Sequence, residues 1–249
     1  MMQDTGEREM NPSTDPSEQV QSRPRREPLT RERVIRAALR VMDAEGLEAV
    51  TMRRVGREVG VEAMSLYNHV RDKEDLLDGI TELVMSELEP PPESADWVEQ
   101  ARAAAHGWRR VLKSHPNVVR LLAERKHPMT SVTALKPMEY ALDILRRAGL
   151  SEEGAVQALH SIGGYLFGFV MMEVGNLMAG NPSFGPAEDP DELLRLIPAE
   201  ELPRFVELAP FLARCDMDAT FDFGLELLLA GIRARTRRRT GASASPAPG

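Results

Sequence analysis

The sequence predicts an all-α protein. Aromatic residues make up only 5% of the 249 residues, and continuous runs of β-branched residues are absent, which disfavours a large sheet. Apolar residues instead recur at helical spacing in successive segments that glycine and proline separate. The composition, with 42% hydrophobic and 28% charged residues, is typical of a soluble globular protein long enough to bury a sizeable core.

Cap residues and apolar stripes predict the first four helices. Thr and Asp side chains accept hydrogen bonds from the free amides at a helix start, and glycine commonly ends a helix. Gly60 suits the turn between the second and third helices, because glycine adopts positive φ without a steric penalty. The four helices are predicted to run from Thr30 to Gly46, Thr51 to Val59, Ala63 to His69 and Asp72 to about Leu88.

The remainder of the chain predicts six further helices. The run Pro90-Pro91-Pro92 stops the fourth helix, because proline has no amide hydrogen and fixes φ. The helices that follow are predicted at 96–114, 116–125, 135–148, 151–178, 201–212 and 216–238. We expect a disordered arm (1–28), a first domain (29–75), a second domain (76–238) with a mobile loop (180–200), and a disordered tail (239–249).

The charge distribution separates a basic segment from an acidic remainder. Between Arg23 and Lys73 there are twelve Lys and Arg residues against eight Asp and Glu residues, a balance of +4. With a net charge of −8, the rest of the chain carries −12. This distribution is expected when only one part of a protein binds the phosphate backbone of a nucleic acid. One cysteine excludes an internal disulfide framework and a multi-thiolate zinc site. The start of the chain lacks the apolar stretch of a secretory signal, so we expect a cytoplasmic location.

The segment after Gly60 carries hydrogen-bonding side chains on one face and the apolar Leu66 and Val70 on the other. We expect Leu66 and Val70 to point into the core. Two short helices joined by a turn form a helix-turn-helix, whose second helix enters the DNA major groove. Arg53 could reach a guanine or a phosphate, and the direction of Arg54 is open. The alternative is that these polar residues are ordinary solvent-exposed residues on the surface of a small helix bundle. The residues expected at base edges are Glu62, Ala63, Met64, Tyr67 and Asn68, and those expected at phosphates are Ser65, Tyr67, His69 and Lys73.

Residues 29–80 resemble the DNA-binding domain of the tetracycline-repressor (TetR) family. The matching motifs are A-A-L in the first helix, E-G-L before Thr51, G-V-E before the third helix and L-Y-N-H-V-R-D-K-E-D-L-L after it. More loosely, A-L-D-I-L-R-R-A-G-L-S and F-D-F-G-L-E-L-L-L-A-G-I are similar to the family's C-terminal domain. The resemblance implies base contacts by Arg53, Ala63, Met64, Tyr67 and Asn68, and phosphate contacts by Thr51, Ser65, His69 and Lys73.

The tetracycline repressor has Gln-Pro where this chain has Ala63-Met64, and Trp where it has Asn68. A different operator is therefore expected. The region RLLAERKHPMT also lacks the His-Thr-Arg-Pro pattern that holds a magnesium–drug chelate. We therefore expect neither tetracycline, nor a metal, nor another cofactor.

The resemblance further implies a homodimer and a small-molecule ligand in the C-terminal domain. A single helix-turn-helix covers too little of the groove for strong specific binding, which also favours a two-fold dimer. We expect its contact surface on Gly164 and Gly168 of the long helix and on a stripe of the last helix: Phe221, Leu225, Leu228, Leu229 and Ile232. The alternative is that these residues belong only to the core of one chain. The expected ligand-binding residues are His106, His127, Met129, Met138, His160, Phe167, Met171, Met172 and Glu173.

Residues 161–180 have the length of a membrane span, but Glu173 lies within them. A buried helix, with no membrane partner, is the expectation.

The function expected is a ligand-responsive transcriptional repressor. It would bind a palindromic DNA operator as a homodimer and be released by an unknown small molecule in the C-terminal domain. No phosphate loop, metal cluster or nucleophile motif points to an enzyme. The alternative is a helical small-molecule-binding protein without specific DNA binding.

Overall fold

The computed structural model describes residues 28–124, 129–174, 198–212 and 216–242, with side chains of the last helix described to Arg237. These ranges contain helices and no strand, so the all-α prediction is confirmed. A short 3-10 helix, Leu47–Ala49, follows α1. The α-helices are α1 Arg31–Glu45, α2 Met52–Val59, α3 Ala63–Leu66, α4 Lys73–Ser86, α5 Trp97–Ser114, α6 Pro116–Glu124, α7 Val132–Arg147, α8 Glu152–Val174, α9 Pro203–Leu212 and α10 Met217–Ala242.

The predicted caps of the first helices are confirmed. The side chains of Thr30 and Thr51 each accept a hydrogen bond of 3.2 Å from a backbone amide three residues on. Asp72 accepts the corresponding bond, of 2.8 Å, from the amide of Asp75. Gly60 ends α2 in the left-handed region, with φ 76° and ψ 36°, a conformation that favours glycine.

Three predicted boundaries are wrong. The third helix ends at Leu66 rather than His69, because the amides of Tyr67 and His69 bond to carbonyls three residues back and form a tighter turn. Helix α7 begins earlier than expected, since the Ser131 side chain caps it. Helix α10 reaches Ala242, so 239–242 are helical and not part of a disordered tail.

Other predicted segments fall on residues outside the described ranges. The expected arm (1–27), most of the expected loop (180–197) and the end of the expected tail (243–249) are among them. Residues 198–200 lead into a turn before α9. Helix α8 is described to Val174, short of the predicted end at 178.

The N-terminal helices pack around α1. Leu66 and Val70 are buried in the same core as α1 and α4, so the prediction that both point inward is confirmed. Gly79 permits close contact between α1 and α4, since a Cβ there would lie 2.5 Å from the Cδ1 atom of Ile35. The third helix is therefore held from behind by a tightly packed pair of helices.

The C-terminal helices form a second packed layer around α8, which contacts α5, α7 and α10. The Tyr165 ring lies on Phe221, with 5.7 Å between centroids, and its hydroxyl donates to the Phe221 carbonyl at 2.7 Å. Gly224 gives Tyr165 room, because a Cβ there would lie 2.5 Å from the hydroxyl.

The predicted dimer stripe on the last helix is wrong. Phe221, Leu225 and Leu229 are buried among α5 and α8, while Ile232 packs against the end of α7 and the start of α8. Leu228 is half-buried. The exposed apolar side chains of α10 are instead Phe223 and Leu227, with 68% and 60% of their surface accessible. Burial inside one chain and burial between two chains produce the same helical periodicity, which explains the error.

The two groups of helices share one core. Buried residues of α1, α4, α6 and α8 form a single apolar cluster. Polar contacts reinforce it, since Asn117 at the start of α6 donates to the Met42 carbonyl at 2.8 Å. The ring nitrogens of His115 lie 3.0 Å from an oxygen of Asp43 and 3.2 Å from one of Glu87. The turn between α5 and α6 therefore contacts the end of α1 and the end of α4.

Candidate functional site

The first candidate site is the exposed face of the segment that follows Gly60. Met64 and Tyr67 expose 72% and 47% of their surface, and Asn68 is exposed beside them. Ala63 and Ser65, on the same segment, are half-buried. Leu66 fixes the opposite side, since it is fully buried. The face thus presents a thioether, a phenol and an amide outward from a rigid support.

The predicted phosphate-contacting residues surround this face. Thr51 uses an acceptor lone pair as the cap of α2, and its hydroxyl hydrogen stays available to a phosphate oxygen. Lys73, at the start of α4, is exposed, and His69 is half-buried.

The two neighbouring arginines of α2 differ. Arg53 is exposed. The guanidinium of Arg54 bonds to Glu45 of α1 at 2.5 Å and to Glu58 of α2 at 2.9 Å. Of the two arginines, Arg53 is therefore the more exposed.

An ion pair holds the end of this segment in place. Arg31 donates to both carboxylate oxygens of Asp75, at 2.8 and 2.9 Å, and to the His69 carbonyl at 3.2 Å. The amide of Arg71 donates to the same carboxylate at 2.8 Å. The Arg31 hydrogen bonds, with the Arg71 amide, lower the pKa of Asp75 from 3.8 to about 2. Asp75 thus joins α1, α4 and the segment between them.

Gly56 is a structural requirement that sequence reasoning missed. A Cβ at this position would lie 3.0 Å from the Val61 carbonyl oxygen and 3.2 Å from the Ala63 amide. The Val61 amide donates to the Gly56 carbonyl at 2.9 Å. A glycine four residues before another glycine near a helix end could have indicated this close approach of α2 and α3.

The second candidate site is an apolar cavity of about 530 Å³ inside the C-terminal helices, a volume typical of ligand sites. Trp108 and His160 are the described lining residues with polar side-chain atoms. The lining consists of Ala101, Ala104, Ala105, Trp108, Leu112, Leu122, Met129, Pro137, Met138, Ala141, Ile144, Leu145, Leu159, His160, Ile162, Gly163, Gly164, Leu166 and Phe167.

Four of the predicted ligand-binding residues line this cavity: Met129, Met138, His160 and Phe167. His127 lies outside the described residues. Met171 packs against the core shared with the N-terminal helices, and Met172 packs against the α5–α8–α10 core. His106 faces α10, where its Nε2 lies 2.9 Å from Asp222.

Glu173 also lies away from the cavity, in an ion-pair cluster. Its carboxylate accepts hydrogen bonds from Arg109 at 2.5 Å and from Lys113 at 2.8 Å. Arg109 pairs with Asp218 as well, at 2.6 Å, and its guanidinium lies 4.6 Å from the centre of the Phe221 ring. Burial raises the pKa of Glu173, but the hydrogen bonds from Arg109 and Lys113 outweigh it and leave the pKa below its ordinary value. Glu173 therefore stabilises the packing of α5 and α8.

Sequence reasoning also missed Trp108 and the face of α5 around it. Ala101, Ala104, Ala105 and Trp108 follow one another at helical spacing on that face. Small residues on the apolar face of a helix leave space in a packed core, and this pattern could have indicated a cavity. No group of three or more metal-ligating side chains occurs among the described residues.

Comparisons with known proteins cover both candidate sites. Residues 34–80 match the family described as "Bacterial regulatory proteins, tetR family", and residues 89–236 match "Tetracyclin repressor-like, C-terminal domain". The HTH-type transcriptional repressor DrrR1 of Streptomyces coeruleorubidus is 32% identical over 233 residues, which cover 89% of this chain and 85% of that protein. Tetracycline repressor protein class E of Escherichia coli is 28% identical over 207 residues, covering 81% and 90% of the two chains.

Solved structures show the same fold. Apo ActR from Streptomyces coelicolor superposes with a TM-score of 0.72 at 29% identity, covering 86% of this chain and 99% of ActR. ActR in complex with actinorhodin gives a TM-score of 0.70 at 30% identity, covering 84% and 99%.

Proposed function

The chain belongs to the TetR family of ligand-responsive transcriptional repressors, and on this premise we propose how it works. It binds a palindromic operator as a homodimer through the exposed face of α3 and releases the operator when a small molecule fills the cavity. It acts on DNA in the cytoplasm and catalyses no reaction.

The observation that carries the proposal is the outward direction of Met64, Tyr67 and Asn68. Their backbone is fixed by the buried Leu66 and Val70, so this face needs no further backbone ordering to enter the major groove. Asn68 can bond to an adenine edge in bidentate fashion, and Met64 can contact a thymine methyl group. Thr51, Ser65, His69 and Lys73 supply phosphate contacts that fix the register. Arg53 can reach a guanine or a phosphate.

Exposed apolar surface supports the homodimer. Helix α8 has the length and mean hydropathy (1.3) of a membrane span, yet only 28% of its most apolar window is buried. No atoms lie within 4 Å of the Cβ positions at Gly164 and Gly168, so a second helix can approach closely there. Phe223 and Leu227 on α10 are exposed as well. A second copy would cover both helices, so that α8 and α10 of the two chains form a four-helix bundle, and it would supply the second DNA-binding domain.

The cavity and the DNA-facing helices are connected through α6. Leu122 of α6 lines the cavity, while Asn117 of the same helix donates to the Met42 carbonyl of α1. Helix α4 packs against α1, α6 and α7. A ligand that shifts α6 would therefore move the DNA-binding domains, provided that it binds the shifted conformation more tightly than the DNA-bound conformation.

A gel shift with the DNA that flanks the gene tests the proposal. We expect the wild-type chain to bind this DNA specifically and Tyr67→Ala to lose binding while keeping its circular dichroism spectrum. Tyr140→Ala, on α7 of the C-terminal domain, is the matched control and should bind as the wild type does. Wild-type binding that ignores sequence would contradict the proposal and favour a small-molecule-binding protein without an operator.

A further inference from the structure

We infer that the cavity binds an uncharged, ring-bearing molecule with a hydrogen-bond acceptor, such as a ketone oxygen, placed against the indole N–H of Trp108. A polar substituent of that molecule lies beside His160. The inference rests on the proposed function, because it names the ligand class of the same cavity.

The described part of the lining carries no acidic or strongly basic side chain that could pair with a charged ligand. None of the nineteen described lining residues is Asp, Glu, Lys or Arg. The nearby charges of Arg109 and Glu173 are already paired with each other and lie outside the lining. An ion placed in this cavity would lose its hydration without gaining a counter-ion, which strongly disfavours binding.

Trp108 supplies a polar group of the lining. The indole nitrogen is a donor and has no acceptor capacity, and it makes no hydrogen bond with any described residue. Trp108 is half-buried and packs against both large apolar cores. A ligand atom that satisfies this donor must accept a hydrogen bond, as ketone and ether oxygens do.

His160 is the second polar side chain of the described lining. Its imidazole can donate or accept a hydrogen bond. A hydroxyl group on the ligand can therefore bond to it.

The walls favour a ring system. The small alanine side chains of α5 leave space in the lining, and the flat side chains of Trp108 and Phe167 can stack on a ring. Met129 and Met138 add flexible thioethers that adapt to ligands of different outline.

Three matched tricyclic probes test the inference on the full chain: 9-fluorenone, fluorene and 9-fluorenecarboxylate. We expect 9-fluorenone to bind about tenfold more tightly than fluorene, the equivalent of one hydrogen bond. The carboxylate should bind about a hundredfold more weakly than 9-fluorenone. Titration calorimetry measures all three affinities.

Variants assign the effect to Trp108. Trp108→Phe should remove the preference for 9-fluorenone while fluorene still binds, and retained fluorene binding shows that the cavity is intact. Trp97→Phe, outside the cavity, is the matched control. A carboxylate that binds as tightly as the ketone, a preference that survives Trp108→Phe, or failure of 9-fluorenone to bind would overturn the inference.

The same protein is tested in parallel for operator binding. If 9-fluorenone binds as expected but the chain binds no DNA specifically, the proposed repressor function fails and the ligand class stands. If DNA binding is specific but the carboxylate is preferred, the ligand class fails alone.

Discussion

Replacement of Asp75 by asparagine should loosen the support of the DNA-facing segment. The carboxylate accepts three hydrogen bonds, two from Arg31 and one from the Arg71 amide. The side-chain oxygen that remains in Asp75→Asn would still accept the bond from the Arg71 amide, but the ion pair would be lost. Since the Arg31 hydrogen bonds, together with the Arg71 amide, lower the pKa of Asp75 from 3.8 to about 2, the full effect corresponds to about 2.5 kcal/mol. The Arg31 side chain is 42% exposed, and screening reduces our expectation to about 1–2 kcal/mol.

The contribution of Asp75 has a defined pH dependence. Because folding lowers its pKa, the stabilisation is complete above a pH of about 4 and is lost as the pH falls towards about 2. Urea unfolding followed by circular dichroism, at one protein concentration, should give a difference of about 1–2 kcal/mol between wild type and Asp75→Asn at pH 7. The difference should shrink at pH 3.

Glu74→Gln is the matched control, since Glu74 is an exposed carboxylate one residue away. Its effect should stay within about 0.5 kcal/mol. Equal unfolding energies for wild type and Asp75→Asn at pH 7, or a difference that does not change at pH 3, would refute the reasoning about this ion pair.

Three further substitutions test other parts of the structure. Gly56→Ala should destabilise the protein by about 1–3 kcal/mol, because the new methyl group meets the Val61–Ala63 backbone; Gly107→Ala, in open space, should instead be neutral or stabilising by thermal melting. Lys73→Ala should reduce the slope of log affinity against log salt by about 1.8 in gel shifts, since the homodimer loses one phosphate contact in each subunit. Glu173→Gln should destabilise by about 3 kcal/mol in urea, because the buried Arg109 loses its principal partner.

The fold was predictable from sequence where local chemistry determines it. Thr30, Thr51 and Asp72 cap helices through their own side chains, and Gly60 ends α2 through its own backbone freedom. The end of α3 was not predictable in the same way. Its last turn tightens where Arg31, thirty-eight residues away in sequence, bonds to the His69 carbonyl, and no local pattern records that contact.

The exposed face after Gly60, which we propose to contact DNA, was more predictable than the cavity. A short segment with two buried residues has only one outward face. The exposure of Met64, Tyr67 and Asn68 could therefore be predicted from the positions of Leu66 and Val70. Residues of four separate helices, α5, α6, α7 and α8, line the cavity. Apolar and methionine-rich positions on α8 could face the cavity, the shared core or a partner chain, and periodicity does not separate these cases. Glu173 was wrongly expected to contact the ligand. Its actual partner, Arg109, is sixty-four residues away in sequence, so no local pattern indicated the ion pair.

A hydroxyl-radical footprint on the DNA that flanks the gene tests whether the face of Tyr67 and Asn68 enters DNA in two copies. We expect two protected half-sites related by a two-fold axis, with centres one helical turn or a whole multiple of it apart, and we expect Tyr67→Ala to erase both. A single protected half-site, uniform weak protection, or a pattern that Tyr67→Ala leaves unchanged would contradict DNA recognition by this face.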